Sequence, residues 1–298
     1  MRLRLLAATV TAVATVAACS SGGTSGGGDG KPQVVTSTDV YASIAKAVAG
    51  PDADVTALFT NPTGDPHEFE PSAQDTLKVK QASVVVENGG HYDAYMDSAL
   101  DGTDVPRVDA YKLKFGTDDA KDAHGGEVNE HVFYDLATMK KVADALAKQL
   151  GEKDSAHSGA YSKRASQFDT QVDGVLQRAE GLKGRKARIA STEPVAGYLL
   201  EESGVTDATP EAFLHAIESG TDPSPADIAT TTDLIKNRQV RALLLNSQTE
   251  SSVTTTLQKL AGTSGVPVVT VTETLPAGVT DYVKWQGGLV DALAAAVK

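Results

Sequence analysis

The sequence predicts an α/β protein with two lobes, each containing a parallel β-sheet flanked by helices, and one long helix that joins them. Short strand-like runs alternate with amphipathic helical segments in both halves of the chain, and a proline-free helical segment separates the two series. Because strands that alternate with helices form parallel sheets, each series is expected to build a sheet of its own.

The N-terminus has the features of a bacterial export signal. Residues 1–18 begin with two arginines and continue into an apolar run that is too short to span a membrane as a mature helix. Residues 16–19 (VAAC) resemble a bacterial lipoprotein box, which implies cleavage before Cys19 and attachment of a lipid to its sulfur. The Gly/Ser-rich residues 19–31 would then form a flexible tether. We therefore expect anchoring through Cys19 to the outer face of the cytoplasmic membrane, with an ordinary secretory peptide as the alternative.

Residues 32–152 are predicted to form the first lobe, because four strand candidates alternate there with helical segments. The last helix candidate of this lobe, residues 135–150, places its apolar side chains on one stripe, as a helix facing a core does. The strand candidates are residues 33–38, 55–59, 82–89 and 106–110, and the other helix candidates are residues 41–48, 72–81 and 92–100.

Residues 153–184 are predicted to form the connecting helix. Apolar residues recur there at offsets of three and four, and a single helix over residues 155–182 would be about 40 Å long, more than one small lobe needs. Residues 185–298 are then predicted to form the second lobe. Its strand candidates are residues 186–192, 240–246 and 266–273, and its helix candidates are residues 195–202, 225–236, 253–260 and a final amphipathic segment.

The composition limits the chemistry of any site. The chain has 298 residues and a formal net charge of −12, so its surface disfavours nucleic acid and raises the local concentration of cations. Its one cysteine is assigned to the lipid, which leaves no thiol for a disulfide, a nucleophile or a metal. A metal site would therefore have to use nitrogen and oxygen ligands.

Four side chains that can bind a metal follow strand candidates or begin helices, where ligands collect in open parallel sheets. His67 lies in GDPHEFEP, between two prolines that stiffen the backbone presenting it. His131 lies in NEHVFYDL, Glu193 ends the strand-like IASTEP segment, and Asp281 lies at the start of the last helix. Two neutral imidazoles and two carboxylates suit Zn²⁺ or Mn²⁺ and balance the charge of a divalent ion.

The chain resembles the metal-specific solute-binding lipoproteins of bacterial ABC importers, the zinc and manganese group called cluster 9, over residues 33–298. The resemblance rests on several blocks in the same order: DPHEFEP, ENGGHYDAYM, NEHVFYDL, TEPVAGYLLEESG, DPSPADI and NSQTE. It implies a rigid connecting helix and a metal buried between the lobes. It also implies that His67 and His131 are ligands, that Glu193 is the third, and that Asp281, or a water in its place, is the fourth.

The resemblance implies a receptor that captures a divalent transition metal and delivers it to an ABC permease, with no chemistry performed on the metal. We expect a monomer. Zinc is favoured over manganese because it binds nearly any nitrogen and oxygen site more tightly, although a glutamate in place of a third histidine weakens that bias. Metal binding requires unprotonated imidazoles, so the affinity should fall at acidic pH.

Two other classes of function stay open. A metallohydrolase could use the same histidines with Glu68 or Glu193 as general base, but the HExxH zinc motif is absent from the sequence. A receptor of the same fold for an organic solute, or a surface adhesin, is the second alternative. A solute cleft favours aromatic and arginine contacts, and aromatic residues make up 5% of this chain. The remaining candidates, His91, His157 and His215, are expected to be surface or half-buried histidines without a metal.

Overall fold

The structure is a computed structural model and describes residues 30–121 and 128–298. The predicted export signal (residues 1–18), Cys19 and the part of the predicted tether before Gly30 lie outside the described residues. Lys31–Lys298 form one compact unit that contains both predicted lobes. In the described part of the chain, no helix combines the length and the apolar character needed to cross a membrane.

The sheet of the first lobe has four parallel strands in the order β2-β1-β3-β4. The two central strands, β1 and β3, contain Val residues and are buried along almost their whole length, as expected for strands covered on both faces. The strands are β1 (Gln33–Thr38), β2 (Asp54–Phe59), β3 (Val84–Glu87) and β4 (Arg107–Asp109), and the helices are α1 (Asp39–Ala49), α2 (Ala73–Gln81), α3 (Tyr95–Leu100), α4 (Ala110–Phe115) and α5 (Leu136–Lys153).

The sheet of the second lobe is also parallel, in the order β6-β5-β7-β8. The strand β6 was not predicted, because a strand of two residues is too short to show an alternation of apolar and polar side chains. The strands are β5 (Arg188–Ser191), β6 (Thr206–Asp207), β7 (Leu243–Asn246) and β8 (Val268–Val271), and the helices are α7 (Gly197–Ser203), α8 (Glu211–Glu218), α9 (Pro225–Lys236), α10 (Ser252–Ser264) and α11 (Tyr282–Ala296).

The long helix α6 (Ser158–Glu180) lies between the two sheets in the sequence. It has 23 residues and is therefore about 35 Å long, shorter than the predicted 153–184, because 3-10 turns flank it at Ser155–His157 and Lys183–Arg185. Its buried side chains pack against α1 and α5 of the first lobe and against α7 and α11 of the second. The helix thus contributes to one continuous apolar core that includes residues of both lobes.

Five segments carry the polar residues of interest, and four of them follow a strand, as is usual in open parallel sheets. Two of them belong to turns of 3-10 helix in the first lobe, Pro66–Glu68 and Val132–Tyr134. In the second lobe they follow β5, β7 and β8. Hydrogen bonds connect these segments across the two lobes, so the site is a junction between them.

Candidate metal centre

His67 is presented by a short turn that begins with a cap and a proline. The carboxylate of Asp65 accepts a hydrogen bond from the backbone amide of His67 at 2.8 Å, and Pro66 occupies the first position of the turn. Proline at this position costs no hydrogen bond and fixes the backbone in advance. The side chain of His67 is 27% exposed, and its Nε2 atom points into the protein. The structure thus places Pro66 and the Asp65 cap directly before His67.

His131 is completely buried, and its orientation is set by Asn129. The Oδ1 atom of Asn129 accepts from the backbone amide of His131 at 2.9 Å and lies 2.8 Å from its Nδ1 atom. The Nδ2 atom of Asn129 donates to the carbonyl of Pro194, which fixes the orientation of the amide. Since Oδ1 can only accept, Nδ1 of the imidazole carries the proton and Nε2 is the atom available to a ligand.

Glu273 brings the two histidines together from the second lobe. Its Oε2 atom lies 3.2 Å from Nε2 of His67 and 3.4 Å from Nε2 of His131. One potential ligand atom from each of the three residues lies within 4.8 Å of the others. Glu273 is 1% exposed, and among the described residues its Oε2 atom and Nε2 of His131 have no hydrogen-bond partner. A buried group of two imidazoles and one carboxylate with unsatisfied atoms fits a divalent transition metal.

Glu193 lies beside this group, 5% exposed, and its carboxylate is held by hydrogen bonds. The Nδ2 atom of Asn246 donates to Oε2 of Glu193 at 2.7 Å and to Oε1 of Glu273 at 2.8 Å, while the hydroxyl of Thr249 donates to Oε1 of Glu193. A single buried amide therefore places two carboxylates side by side. Glu193 is adjacent to the group of three but is not one of its members.

Asp281, the fourth ligand expected from the sequence, lies elsewhere. Its carboxylate caps α11, accepting from the backbone amide of Lys284 at 3.0 Å, and its side chain is 41% exposed. A short carboxylate directly before a helix satisfies a free backbone donor, and this local role explains its position. The carboxylate that faces the histidines belongs to Glu273 instead. The sequence did contain a signal for it, because Glu273 ends a strand candidate just as Glu193 follows one.

The ionisation of the three grouped residues is coupled. Burial opposes protonation of His67, but the contact with Glu273 outweighs it and raises the pKa of His67 to about 9. At His131, too, the contact with Glu273 outweighs burial and raises the pKa. Burial alone would raise the pKa of Glu273, yet the two imidazoles hold it well below its usual range. The carboxylate and the two imidazoles therefore stabilise one another's charged forms.

An acidic cavity of about 420 Å³ opens beside the exposed edge of His67. Glu130 contributes an oxygen 3.6 Å from Nδ1 of His67, and Glu218 contributes one 3.7 Å from Nδ1 of His131. A cavity with this lining attracts cations toward the group. Its other charged or titratable lining residues are Asp65, Glu68, His91, Tyr111, Asp119, Lys121 and His215.

The remaining described histidines lie outside the group of three. The side chains of His91, His157 and His215 are 70%, 50% and 51% exposed, and each lies near a carboxylate on the surface. His215 is more exposed than the half-buried position expected for it. His124 lies outside the described residues.

Comparison with known proteins places the chain among metal-transport components. The sequence profile of the family described as "Zinc-uptake complex component A periplasmic" (ZnuA) matches residues 34–296. The metal ABC transporter substrate-binding lipoprotein FimA of Streptococcus parasanguinis is 26% identical over 256 residues, which are 81% of this chain and 80% of FimA. The manganese ABC transporter substrate-binding lipoprotein PsaA of Streptococcus pneumoniae is 24% identical over 265 residues, 84% of this chain and 82% of PsaA.

The fold is also found among solved structures. The periplasmic zinc-binding protein TroA of Treponema pallidum matches with a TM-score of 0.71 at 20% identity, covering 90% of this chain and 99% of TroA. A likeness at this identity shows a common fold and leaves the cargo undefined. It confirms the predicted two-lobed α/β architecture.

Proposed function

Since the chain belongs to the zinc-uptake complex component A periplasmic family, we propose that it captures a divalent transition metal outside the cytoplasm, zinc in preference to manganese, and delivers it to an ABC permease. The curated relatives are substrate-binding lipoproteins of ABC importers and not enzymes, and this chain is accordingly a metal-binding substrate-binding protein. The family predicted from the sequence motifs is confirmed. The metallohydrolase alternative is set aside by the same membership.

One observation supports the metal ligands most directly. Two imidazole Nε2 atoms from the first lobe face one buried carboxylate oxygen from the second. We assign His67, His131 and Glu273 as three ligands, with Glu273 replacing Asp281 in the set expected from the sequence. A metal bound there would displace the imidazole protons and satisfy the buried atoms that lack partners.

Glu193 is the fourth ligand in this proposal. Burial raises its pKa to about 7 despite hydrogen bonds from Thr249 and Asn246, so its carboxylate is ready to ionise when a cation arrives. Two neutral imidazoles and two carboxylates balance the charge of a divalent ion, which avoids a net charge in a buried site. Asn246 already holds both carboxylates next to each other.

Zinc is the favoured cargo on chemical grounds. A site with two nitrogen and two oxygen donors is compatible with tetrahedral zinc, and zinc binds such sites more tightly than manganese. The second carboxylate in place of a third imidazole makes the ligand set harder in the acid–base sense. This narrows the difference between the zinc and manganese affinities and keeps manganese as the competing cargo. Each lobe supplies two ligands, so a single chain completes the site and the protein is proposed to act as a monomer.

The proposed location is the outer face of the cytoplasmic membrane, with a lipid on Cys19. The names of the curated relatives support a lipoprotein, and the VAAC segment of residues 16–19 supports Cys19 as the modified residue. The lipid would keep the receptor close to its permease, and the acidic surface would then enrich cations around it.

Native mass spectrometry tests this function. The purified protein is stripped of metal and offered equal zinc and manganese, alongside the variants Glu193→Ala and Glu180→Ala. The expected result is one zinc ion per chain, lost in Glu193→Ala and retained in Glu180→Ala, whose glutamate is half-exposed on α6 and pairs with Lys183. Preferential manganese would change the cargo and keep the site. Absence of any bound transition metal would contradict the proposed function.

A further inference from the structure

Gln248 is a buried glutamine in the loop after β7, and all the hydrogen-bonding atoms of its side chain are used. Its Oε1 atom accepts from the backbone amides of Glu273 and Thr274, at 2.5 Å and 3.3 Å. Its Nε2 atom donates to the carbonyl of Gly64 and to the hydroxyl of Thr274, both at 2.8 Å. Since the oxygen faces two donors and the nitrogen two acceptors, one orientation of the amide satisfies every contact.

These hydrogen bonds cross from one lobe to the other beside the metal site. Gly64 belongs to the loop of the first lobe that carries His67 three residues later, whereas Glu273 is the carboxylate contributed by the second lobe. The hydroxyl of Thr274 adds a second link, because it donates to the carbonyl of Asn61 at 3.1 Å. The backbone amide of Gln248 also donates to Oδ1 of Asn246, the residue that holds the two carboxylates.

We propose that Gln248 is a positioning residue that latches the His67 loop to the Glu273 loop and thereby sets how fast the metal leaves. The inference deepens the proposed function and rests on it. The distance between Nε2 of His67 and Oε2 of Glu273 depends on the separation of two loops from different lobes, and Gln248 joins those loops through one rigid amide. Release of the metal requires His67 and Glu273 to separate, so the hydrogen bond to Gly64 must break first.

No other common side chain reproduces this arrangement. Glutamate keeps an acceptor for the amides of Glu273 and Thr274 but places an oxygen against the carbonyl of Gly64, where two acceptors repel each other. Alanine removes both the oxygen that accepts from Glu273 and Thr274 and the nitrogen that donates to Gly64. Neither change alters a side chain that binds the metal, because Gln248 contacts Glu273 only at its backbone amide, so the ligands are retained and the rate of opening is the quantity that changes.

The test measures metal release from the purified protein. Zinc-loaded wild type, Gln248→Ala and Gln248→Glu are mixed with excess EDTA, and release is followed by the fluorescence of the single tryptophan, Trp285, which packs against Phe133 next to His131. Outer contacts of metal ligands are typically worth 10- to 100-fold in metal affinity. We expect release to accelerate by about that factor in both variants, with association rates within about threefold of wild type.

Two further measurements separate a latch from general destabilisation. Cobalt-loaded Gln248→Ala should keep the visible band positions of the wild type, because its ligands are unchanged. The variant Gln171→Ala, at an exposed position on α6, should release zinc at the wild-type rate.

Thr274→Val removes one hydrogen-bond partner of Gln248 and should also accelerate release. Because the hydroxyl of Thr274 accepts from Gln248 and donates to Asn61, the two residues are coupled, and the double variant should release zinc more slowly than the product of the two single effects predicts.

The release rates test the latch separately from the proposed function. Wild-type release rates in Gln248→Ala, with one zinc still bound per chain, would overturn the latch and leave the proposed function intact. Multiplicative effects in the double variant would also overturn it. If Gln248→Ala did not fold, Thr274→Val would decide, and a wild-type release rate there would count against the latch. If the wild type bound no metal, the proposed function and the latch would fall together.

Discussion

The two turns that present the histidines differ in how firmly the second lobe holds them. The turn after His131 is tied to that lobe by two hydrogen bonds from tyrosine hydroxyls. Tyr134 donates to the carbonyl of Thr272 at 2.7 Å, and Tyr282 donates to the carbonyl of Phe133 at 2.8 Å. Both bonds are buried. Because Thr272 directly precedes Glu273, His131 and its carboxylate partner are positioned by the same packed region.

The turn of His67 is held in a different way. Its backbone is ordered locally by the Asp65 cap, and its ring makes an edge contact with Tyr92, with ring centroids 4.8 Å apart. Two hydrogen bonds connect its loop to the second lobe, one from Gln248 to Gly64 and one from Thr274 to Asn61, before the turn itself begins. The imidazole is also 27% exposed, whereas that of His131 is completely buried.

This difference indicates a division of roles within the site. In the proposed site, His131, Glu273 and Glu193 would form a buried half-site in which hydrogen bonds fix each side chain before a metal arrives, which is the arrangement that favours tight binding. His67 adds the fourth donor from the side of the acidic cavity. An ion that arrives through this cavity meets His67 at the boundary of solvent, and an ion that leaves must lose the same contact.

The largest effects should come from removing each histidine in turn. Both His67→Ala and His131→Ala should weaken zinc binding by more than about 100-fold, because each removes a ligand. The free energy of unfolding of the metal-free protein should fall more in His131→Ala, by about 2 kcal/mol, because this ring is fully buried and its removal leaves a cavity. Competition with a zinc indicator and urea unfolding measure the two quantities.

His215→Ala is the matched control for this pair. Its ring is exposed at the edge of the acidic cavity and pairs with Glu218 on the surface, so both zinc affinity and stability should stay at wild-type values. Equal losses of stability in His67→Ala and His131→Ala would contradict the division of roles.

The fold was largely predictable because it depends on local patterns. Runs such as residues 33–38 and 240–246 indicate buried strands by their composition alone, and helix α5 was evident from the spacing of its apolar residues. The ends of α6 were less predictable, since residues 155–157 and 183–185 continue the helical pattern but form 3-10 turns. Helix ends depend on a few local hydrogen bonds that composition does not specify.

The site was predictable only in part. His67 and His131 stood out because histidine is rare and each lies in a distinctive motif. The choice between Glu273 and Asp281 could not be made from the sequence, because both carboxylates follow the strand β8 and precede or begin the last helix. Tertiary placement decides between them, because Glu273 is buried two residues beyond β8, whereas Asp281 is used as a cap. Asn246 and Gln248, which organise the second lobe, gave no sequence signal beyond the NSQTE block.

A change of pH should have an effect of intermediate size on the zinc affinity. The pKa of His67 is raised from 6.5 to about 9 by Glu273, Glu130 and Asp65 against the opposing effect of burial, and that of His131 is also raised. Metal must displace these protons, so zinc affinity should fall as pH drops below about 9, by up to tenfold per pH unit for each protonated histidine. The fall in affinity that the sequence predicts at acidic pH should therefore begin well above the ordinary imidazole pKa of about 6.5.

The metal-free protein should show the opposite trend in stability. A raised pKa in the folded state adds stability that is fully present below the unfolded pKa of about 6.5 and is lost as pH rises through about 9.

For the affinity, titration calorimetry of zinc binding in buffers of different ionisation enthalpy would count the protons that the site releases. Affinity that is independent of pH between 6 and 9 would contradict the proton-occupied site.

The smallest effect should come from Asp281→Ala, and it tests the correction made to the ligand set. Loss of the cap on α11 should lower the free energy of unfolding by about 1 kcal/mol while zinc affinity stays within about twofold of wild type. Glu273→Ala, in contrast, should weaken binding by more than about 100-fold, because it removes the carboxylate that faces both histidines. Competition with a zinc indicator for the two variants distinguishes them. If Asp281→Ala were the variant that lost zinc, Asp281 would have to reach the metal in the loaded protein, and the proposed half-site of His131, Glu273 and Glu193 would be wrong.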